Sequence, residues 1–313
     1  MTTNLVSIII PARNELFLKK TIEDILIKAK GPIEIIVVLD GYWMDPEEII
    51  DNKKVIYLHY GESRGMRNAI NMAAQIAHGE FLLKSDAHCM FDEGFDVKLV
   101  EGVSDYQSKL EMGVQIGDPQ RESNLDNYIV IPRRKRLDAE NWCVQDVGKP
   151  DVDYEYLSSP ADDGVKGNIW NERTIERLNN PVFDIDENMS FQGSCWFMPK
   201  SHYLNRLGGM SEVGYGRFVR EAQELGLKTW LGGGKIFTNK KTWYAHLHKG
   251  PRYGRMYFLN KKEVEAGNAY CNDYWFNNRW EGAKFDLGWL ISRFMPVPTW
   301  TPELIEKVKF GII

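Results

Sequence analysis

The first hundred residues of the chain switch between two hydrophobic periods. Val6 to Ile10 is a largely β-branched run ended by Pro11, the pattern of a strand buried on both faces. From about Leu16 to Lys28, Leu18, Ile22, Ile25 and Leu26 recur at helical spacing, and Gly31-Pro32 breaks the helix they predict. Ile33 to Leu39 predicts a second buried strand that closes on Asp40-Gly41, and Lys54 to His59 a third. Gly65 to His78 predicts a second helix stopped by Gly79, and Glu80 to Lys84 a fourth strand running into Ser85-Asp86-Ala87-His88. This order predicts an α/β fold, a Rossmann-like and mainly parallel sheet with helices on both faces. Ligands of such sheets bind beyond the carboxyl ends of the strands, so Asp40 and Asp86 are expected to face one crevice.

Between about Glu111 and Asn188 the periodicity weakens, and a stretch rich in Asp, Asn, Pro and Arg predicts irregular loops with short strands. Order returns at Met189. A strand over Ser194 to Met198 and a short helix ending at Gly208-Gly209 come first. A longer helix from Gly216 to Leu231 follows, then strands over Lys235 to Phe237 and Thr242 to His248 and an aromatic tail after Gly250.

At 313 residues, with 43% hydrophobic and 27% charged positions, the chain supports one large domain or two modest ones and is not mainly disordered. The net charge of −5 gives no global attraction for nucleic acid or anionic membrane. The local exception, Arg133-Arg134-Lys135-Arg136, reads either as a solvated loop or as a basic patch. No apolar stretch approaches the roughly 20 residues that span a bilayer. No signal peptide precedes the first strand, and Cys89, Cys143, Cys195 and Cys271 are scattered without a CxxC pair, which predicts reduced thiols and a cytoplasmic location.

The most specific chemical signal is Asp86-Ala87-His88. A carboxylate and an imidazole two residues apart on a turn after a buried strand can reach one divalent ion, and this ligand pair suits Mn²⁺. An ion there would neutralise a diphosphate leaving group; the alternative is a turn in which Asp86 caps the next segment. His246 and His248 offer further imidazoles, both on one face if the strand continues through them. Asp40 fits a carboxylate that binds the base or ribose of a nucleotide, and equally an Asp-Gly turn. Arg64 and Arg67, with Gly65 at a helix start, suit phosphate, or else a solvated helix end. Glu221 and Glu224 lie three apart on one helix, hence on one face, where either could serve as a base or orienting group.

Together these pieces resemble the GT-A fold glycosyltransferases of the family 2 type. Ser7 to Glu15 looks like their opening strand and turn, and Arg67-Asn68, Gly79 and Asp86 like their helix and acidic metal motif. Where that family usually carries Asp-x-Asp, this chain has Asp86-Ala-His88-Cys89, which is similar to the catalytic domain of polypeptide N-acetylgalactosaminyltransferases. Glu221 to Gly234, with Trp230, resembles their Glu-x-x-Glu helix, and His246-Leu-His248-Lys249 their third metal-binding histidine, with His246 the better aligned. Gln192-Gly193-Ser194 resembles their sugar-site segment and Asn268 to Trp280, faintly, their aromatic tail. One departure is Phe218-Val219-Arg220, where they carry Trp-Gly-Gly, so specificity for sugar and acceptor does not carry over.

The resemblance implies a transferase that uses a UDP-sugar and Mn²⁺ or Mg²⁺, the metal held by Asp86, His88 and His246. It places Pro11, Ala12, Arg13, Glu15 and Asp40 at the nucleotide, Arg64 and Arg67 near the phosphates, and Gln192, Gly193, Trp230, Arg252 and Tyr253 around the donor. Glu221 and Glu224 are the expected catalytic residues. The expected organisation is a catalytic domain over 1–250, with a nucleotide-binding half at 1–110 and an acceptor- and sugar-binding half at 111–250, and an aromatic extension over 251–313 packed on it. Expected acceptors are a glycan, a protein or, motivated by Arg133–Arg136 and the aromatic tail, a hydroxymethylated base in DNA. The rival readings are a nucleotidyltransferase and a non-catalytic nucleotide-sugar-binding protein.

Overall fold

A computed structural model of the chain describes residues 4–111 and 126–311. Ten strands form one sheet: β1 (Val6–Ala12), β2 (Ile33–Asp40), β3 (Val55–Tyr60), β4 (Phe81–Ser85), β5 (Cys89–Phe91), β6 (Tyr128–Asp138), β7 (Cys143–Val144), β10 (Ile185–Glu187), β11 (Cys195–Pro199) and β12 (Lys235–His246). A separate hairpin pairs β8 (Glu155–Leu157) with β9 (Gly167–Ile169). The main path runs β10-β12-β6-β11-β4-β1-β2-β3. The segment β3-β2-β1-β4 is parallel throughout, and β11 runs antiparallel to both β4 and β6. Two reversals restore the original direction, so β6 and its parallel neighbour β12 point the same way as β4. The carboxyl ends of β1, β2, β4 and β12 therefore share one edge of the sheet.

Alternation along β1 explains its unbroken apolar run. Ile8 and Ile10 join a core with Leu18, Ile22 and Ile25 of α1 (Leu18–Lys28) and with Phe95, Leu99 and Val103 of α3 (Phe95–Glu111). Ile9 joins the opposite core, with Ile70 and Ala73 of α2 (Met66–Ile76) and Leu225 of α5 (Glu221–Leu231). That second core also takes in Trp275 of α7 (Lys261–Phe276), Leu290 of α8 (Leu287–Phe294) and Val308 of α9 (Pro302–Lys309). Two short helices, α4 (Asn171–Glu176) and α6 (Gly250–Tyr253), complete the set among the described residues. Helices thus cover both faces, and fully burying each such side chain favours folding by roughly 1.5–3 kcal/mol.

Several elements differ from the expectation. β1 continues through Pro11 to Ala12, because its ladder to β4 ends at Ile9 and proline is tolerated where a strand has a neighbour on one side only. The expected strands at Lys235 and Thr242 are one strand, β12, with a register shift between Asn239 and Trp243. The long helix starts at Glu221 instead of Gly216, since Gly214, Gly216 and Arg220 all adopt positive φ. The short helix before Gly208 is a π-helical turn over His202–Arg206.

The weakly patterned stretch holds the largest surprise, the eleven-residue strand β6; its part at 112–125 lies outside the described residues. Arg133 to Arg136 sit within β6, neither in a loop nor as a basic patch. Arg133 pairs with Asp153 at 2.7 Å, Arg134 with Glu155 at 2.8 Å and Lys135 with Asp151 at 2.9 Å, leaving Arg136 exposed. Trp275, Phe276 and Trp300 of the tail are buried, whereas Phe258 and Phe310 are exposed.

Candidate functional site

A cleft of about 1570 Å³ opens at the shared carboxyl edge. Asp86 follows β4 directly, and its backbone N–H donates to Ser194 O at 2.8 Å. His88 leads into β5, which pairs antiparallel with β12 so that His246 lies opposite Cys89. This pairing closes a gap of some 160 positions in sequence. Nε2 of His246 is 3.3 Å from Asp86 Oδ2 and 3.2 Å from Nε2 of His88, which is itself 3.7 Å from Asp86 Oδ2. Ligand atoms of all three residues lie within 4.8 Å of one another. Burial and then neighbouring charge set the protonation of His246 and Asp86. Burial pushes His246 down to about 4, so its imidazole is neutral near pH 7. Burial alone would raise Asp86, yet Lys84 and the two histidines hold its carboxyl well below the usual range. One anionic oxygen and two imidazole nitrogens aimed at a common point fit a divalent cation.

The shell behind these ligands is built. Glu15 Oε2 lies 3.2 Å from His88 Nδ1 and accepts from Lys249 Nζ at 2.6 Å. A carboxylate on the far nitrogen fixes the imidazole so that Nε2 presents its lone pair. His248 stays outside the cluster, because β12 ends at His246 and the alternation expected to carry both inward stops there. Its ring meets His246 edge-on at 5.2 Å.

Glu221 opens α5 at the cleft wall. Trp196 Nε1 donates to its Oε1 at 2.7 Å, and Lys84 Nζ lies 3.5 Å from its Oε2. Burial raises its pKa, while Lys84 and the Trp196 bond oppose the rise. Gly193 leaves room beside it, since a Cβ there would stand 2.8 Å from Glu221 Oε2 and the carboxylate would have to shift. Pro11, Ala12, Arg13 and Gln192 also line the cleft. Asp40 does too, but its carboxylate already accepts from Ser63 Oγ at 2.7 Å, Arg64 N at 2.6 Å and Gly65 N at 3.0 Å, tying the β2 turn to the start of α2.

Other expected residues lie elsewhere. Arg67 does not line the cleft; it is 1% exposed and bonded to Glu224, Ser211 O and Val219 O. Glu224, though three residues from Glu221, belongs to that closed pair and does not line the cleft. Arg64 stacks over Tyr60 at 4.8 Å, outside the lining. Trp230 is a core residue whose indole donates to Asn188 O at 3.2 Å. Arg252 and Tyr253 reach Glu140 on the surface instead of the donor cleft. In the other direction, sequence reasoning missed Lys84, Arg134, Trp196 and Lys249. Only Lys84 carried a signal, as a charged residue in an apolar strand two positions before Asp86 and hence on its face.

Residues 7–146 match the domain described as glycosyl transferase family 2. The chain is 24% identical over 203 residues to the glycosyltransferase GlyG of Streptococcus pneumoniae serotype 4, covering 60% of this chain and 64% of that protein. The crystal structure of GalNAc-T7 with UDP, GalNAc and Mn²⁺ is similar with a TM-score of 0.63 at 16% identity, over 98% of this chain and 54% of that one. Staphylococcus aureus TarS 1–349 in complex with UDP-GlcNAc gives a TM-score of 0.48 at 15% identity, over 83% and 63%. The chain thus spans just under two thirds of GlyG and about half of GalNAc-T7. The fold it shares with GalNAc-T7 is GT-A.

Proposed function

We propose, starting from the match of residues 7–146 to the glycosyl transferase family 2 domain, that this chain is a metal-dependent glycosyltransferase using a UDP-sugar donor. The observation that carries this reading is the convergence of Asp86, His88 and His246 on one point in the cleft, beside Glu221. GalNAc-T7 binds UDP, GalNAc and Mn²⁺, and this is the ligand set carried over to the cleft. Mn²⁺ or Mg²⁺ held by the three residues would supply positive charge against a departing diphosphate.

The chain's own residues do the remaining work. Glu15 orients His88, and the β1 turn from Pro11 to Arg13 walls the nucleotide end of the cleft. Glu221, with a donor at each oxygen, is oriented to accept from a sugar or acceptor hydroxyl and to face positive charge developing at the anomeric carbon. Retention of anomeric configuration belongs to this reading, on the likeness of Asp86-Ala-His88. The acceptor is a hydroxyl of a glycan, a protein or a hydroxymethylated base.

A donor screen with Mn²⁺, following slow release of UDP from each nucleotide sugar, tests the reading without knowledge of the acceptor. The expected result is turnover of a UDP-sugar that stops when the cation is chelated. Indifference to every UDP-sugar, or consumption of a nucleoside triphosphate with release of pyrophosphate, would replace it with the nucleotidyltransferase reading. A β-linked product from an α-linked donor, read by NMR of the first-formed anomer, would refute retention.

A further inference from the structure

We propose that Lys84 is a positioning residue that couples the cation-holding cluster to Glu221, and this rests on the metal-dependent reading above. Lys84 lies on β4 two residues before Asp86, so both side chains leave the same face of the strand. It is 1% exposed. Its Nζ lies 2.5 Å from Asp86 Oδ1, 2.6 Å from Gly193 O and 3.5 Å from Glu221 Oε2. An ammonium has three N–H donors. All three are committed within the protein, so none remains for a diphosphate, and Lys84 acts through its neighbours instead of on substrate.

Each contact has a consequence. Binding Oδ1 divides the Asp86 carboxylate, so that Oδ2 alone turns to His88 and His246. The Gly193 contact ties β4 to the segment entering β11, and the missing side chain of Gly193 lets Glu221 approach. The third contact, with the Trp196 indole on the other oxygen, fixes where Glu221 points. An isolated buried ammonium is costly, and here two carboxylates and a carbonyl offset that cost. Lys84 therefore keeps the half-buried Asp86 and the buried Glu221 carboxylates from repelling one another and holds each in a single orientation.

Removing the Lys84 ammonium should move two properties in opposite directions. Asp86 gains a free oxygen and loses a competing positive charge, so a metal ion binds more tightly; Glu221 loses its anchor, so turnover falls. A residue that only stabilised the fold would not tighten metal binding. The test is Lys84→Met, with Mn²⁺ alone titrated by the EPR signal of the free ion, and turnover followed as UDP release. The expected result is Mn²⁺ affinity at least about threefold tighter, kcat lower by about a hundredfold and KM for the donor within about threefold. Unchanged or weaker Mn²⁺ binding overturns the proposal, as does unchanged kcat. Should Lys84→Met fail to fold, the charge-balanced double variant Lys84→Met with Glu221→Gln is compared with Glu221→Gln alone. It should bind Mn²⁺ more tightly, and equal or weaker binding overturns the proposal in the same way. Failure of the unmodified chain to bind Mn²⁺ would bring down the metal-site reading and this coupling together, whereas binding indifferent to Lys84 would overturn the coupling alone.

Discussion

Glu221 and Glu224 stand three residues apart in the first turn of α5, both buried, and their surroundings could hardly differ more. Glu224 is closed on itself. Ser211 N and Lys228 Nζ donate to one oxygen at 2.8 Å each, Arg67 donates to the other, and the Arg67 guanidinium lies 4.3 Å above the Tyr215 ring. Glu221 instead joins a chain of groups through Lys84 to Asp86, whose free oxygen faces two imidazoles with no N–H donor supplied by arginine or lysine. Buried charge is common to both regions. What separates a structural pair from a working site is whether the acceptor positions are used up within the protein or left converging on a cleft.

This contrast can be broken from either side. The largest expected effect is on stability at the closed pair. Arg67→Met leaves Oε2 of the buried Glu224 without its partner, Lys228 remaining on Oε1, and should cost about 3 kcal/mol, read as a lower urea midpoint. A loss of donor turnover with no loss of stability would show that Arg67 belongs to the site after all. Next comes His246→Ala, which should lower UDP release at least about a hundredfold while shifting the urea midpoint much less than Arg67→Met does. Full activity in this variant would remove His246 from the site. A smaller effect is expected behind the ligands: Glu15→Gln should weaken Mn²⁺ binding by about tenfold without abolishing it. Unaltered Mn²⁺ affinity would make Glu15 part of the nucleotide wall only.

The smallest effect sharpens the comparison through pH. His246 in the metal-free fold sits at about 4, below its ordinary value of 6.5, so between these values the unfolded chain binds the additional proton. Its contribution to stability is complete above pH 6.5 and is lost as pH falls toward 4. His246→Gln should flatten that slope in urea titrations of the chain without metal. A slope unaffected by the substitution would assign it to other groups.

Much of this site was legible along the chain. Asp86 and His88 are local, two residues apart at the end of a recognisable strand, and the parallel order of β1, β2 and β4 placed Asp40 and Asp86 at one edge in advance. Residues whose role depends on a partner far away were not legible. Arg67 has the same helix-start context whether it meets a phosphate or Glu224, and local sequence carries no trace of which. Arg133 to Arg136 read as a basic run because their partners, Asp151, Asp153 and Glu155, lie on a separate segment. Phe218-Val219-Arg220 has a local explanation only in hindsight: Arg220 adopts a φ of 60°, a conformation natural to the glycine of the related pattern.

The sequence by itself determined the α/β layering, because burial on both faces or on one stripe writes its period directly into the order of apolar residues. It also determined the Asp86-Ala87-His88 pattern at a strand end and the chemistry those side chains permit. Tertiary structure alone decided that β12 runs parallel to β4 after two reversals, that its pairing with β5 sets His246 against His88, and that Lys84 stands between Asp86 and Glu221. The physical reason is range. Periodicity is a property of neighbours along the chain, whereas the partner of a buried charge is chosen by which strands pair, and that choice belongs to the whole sheet.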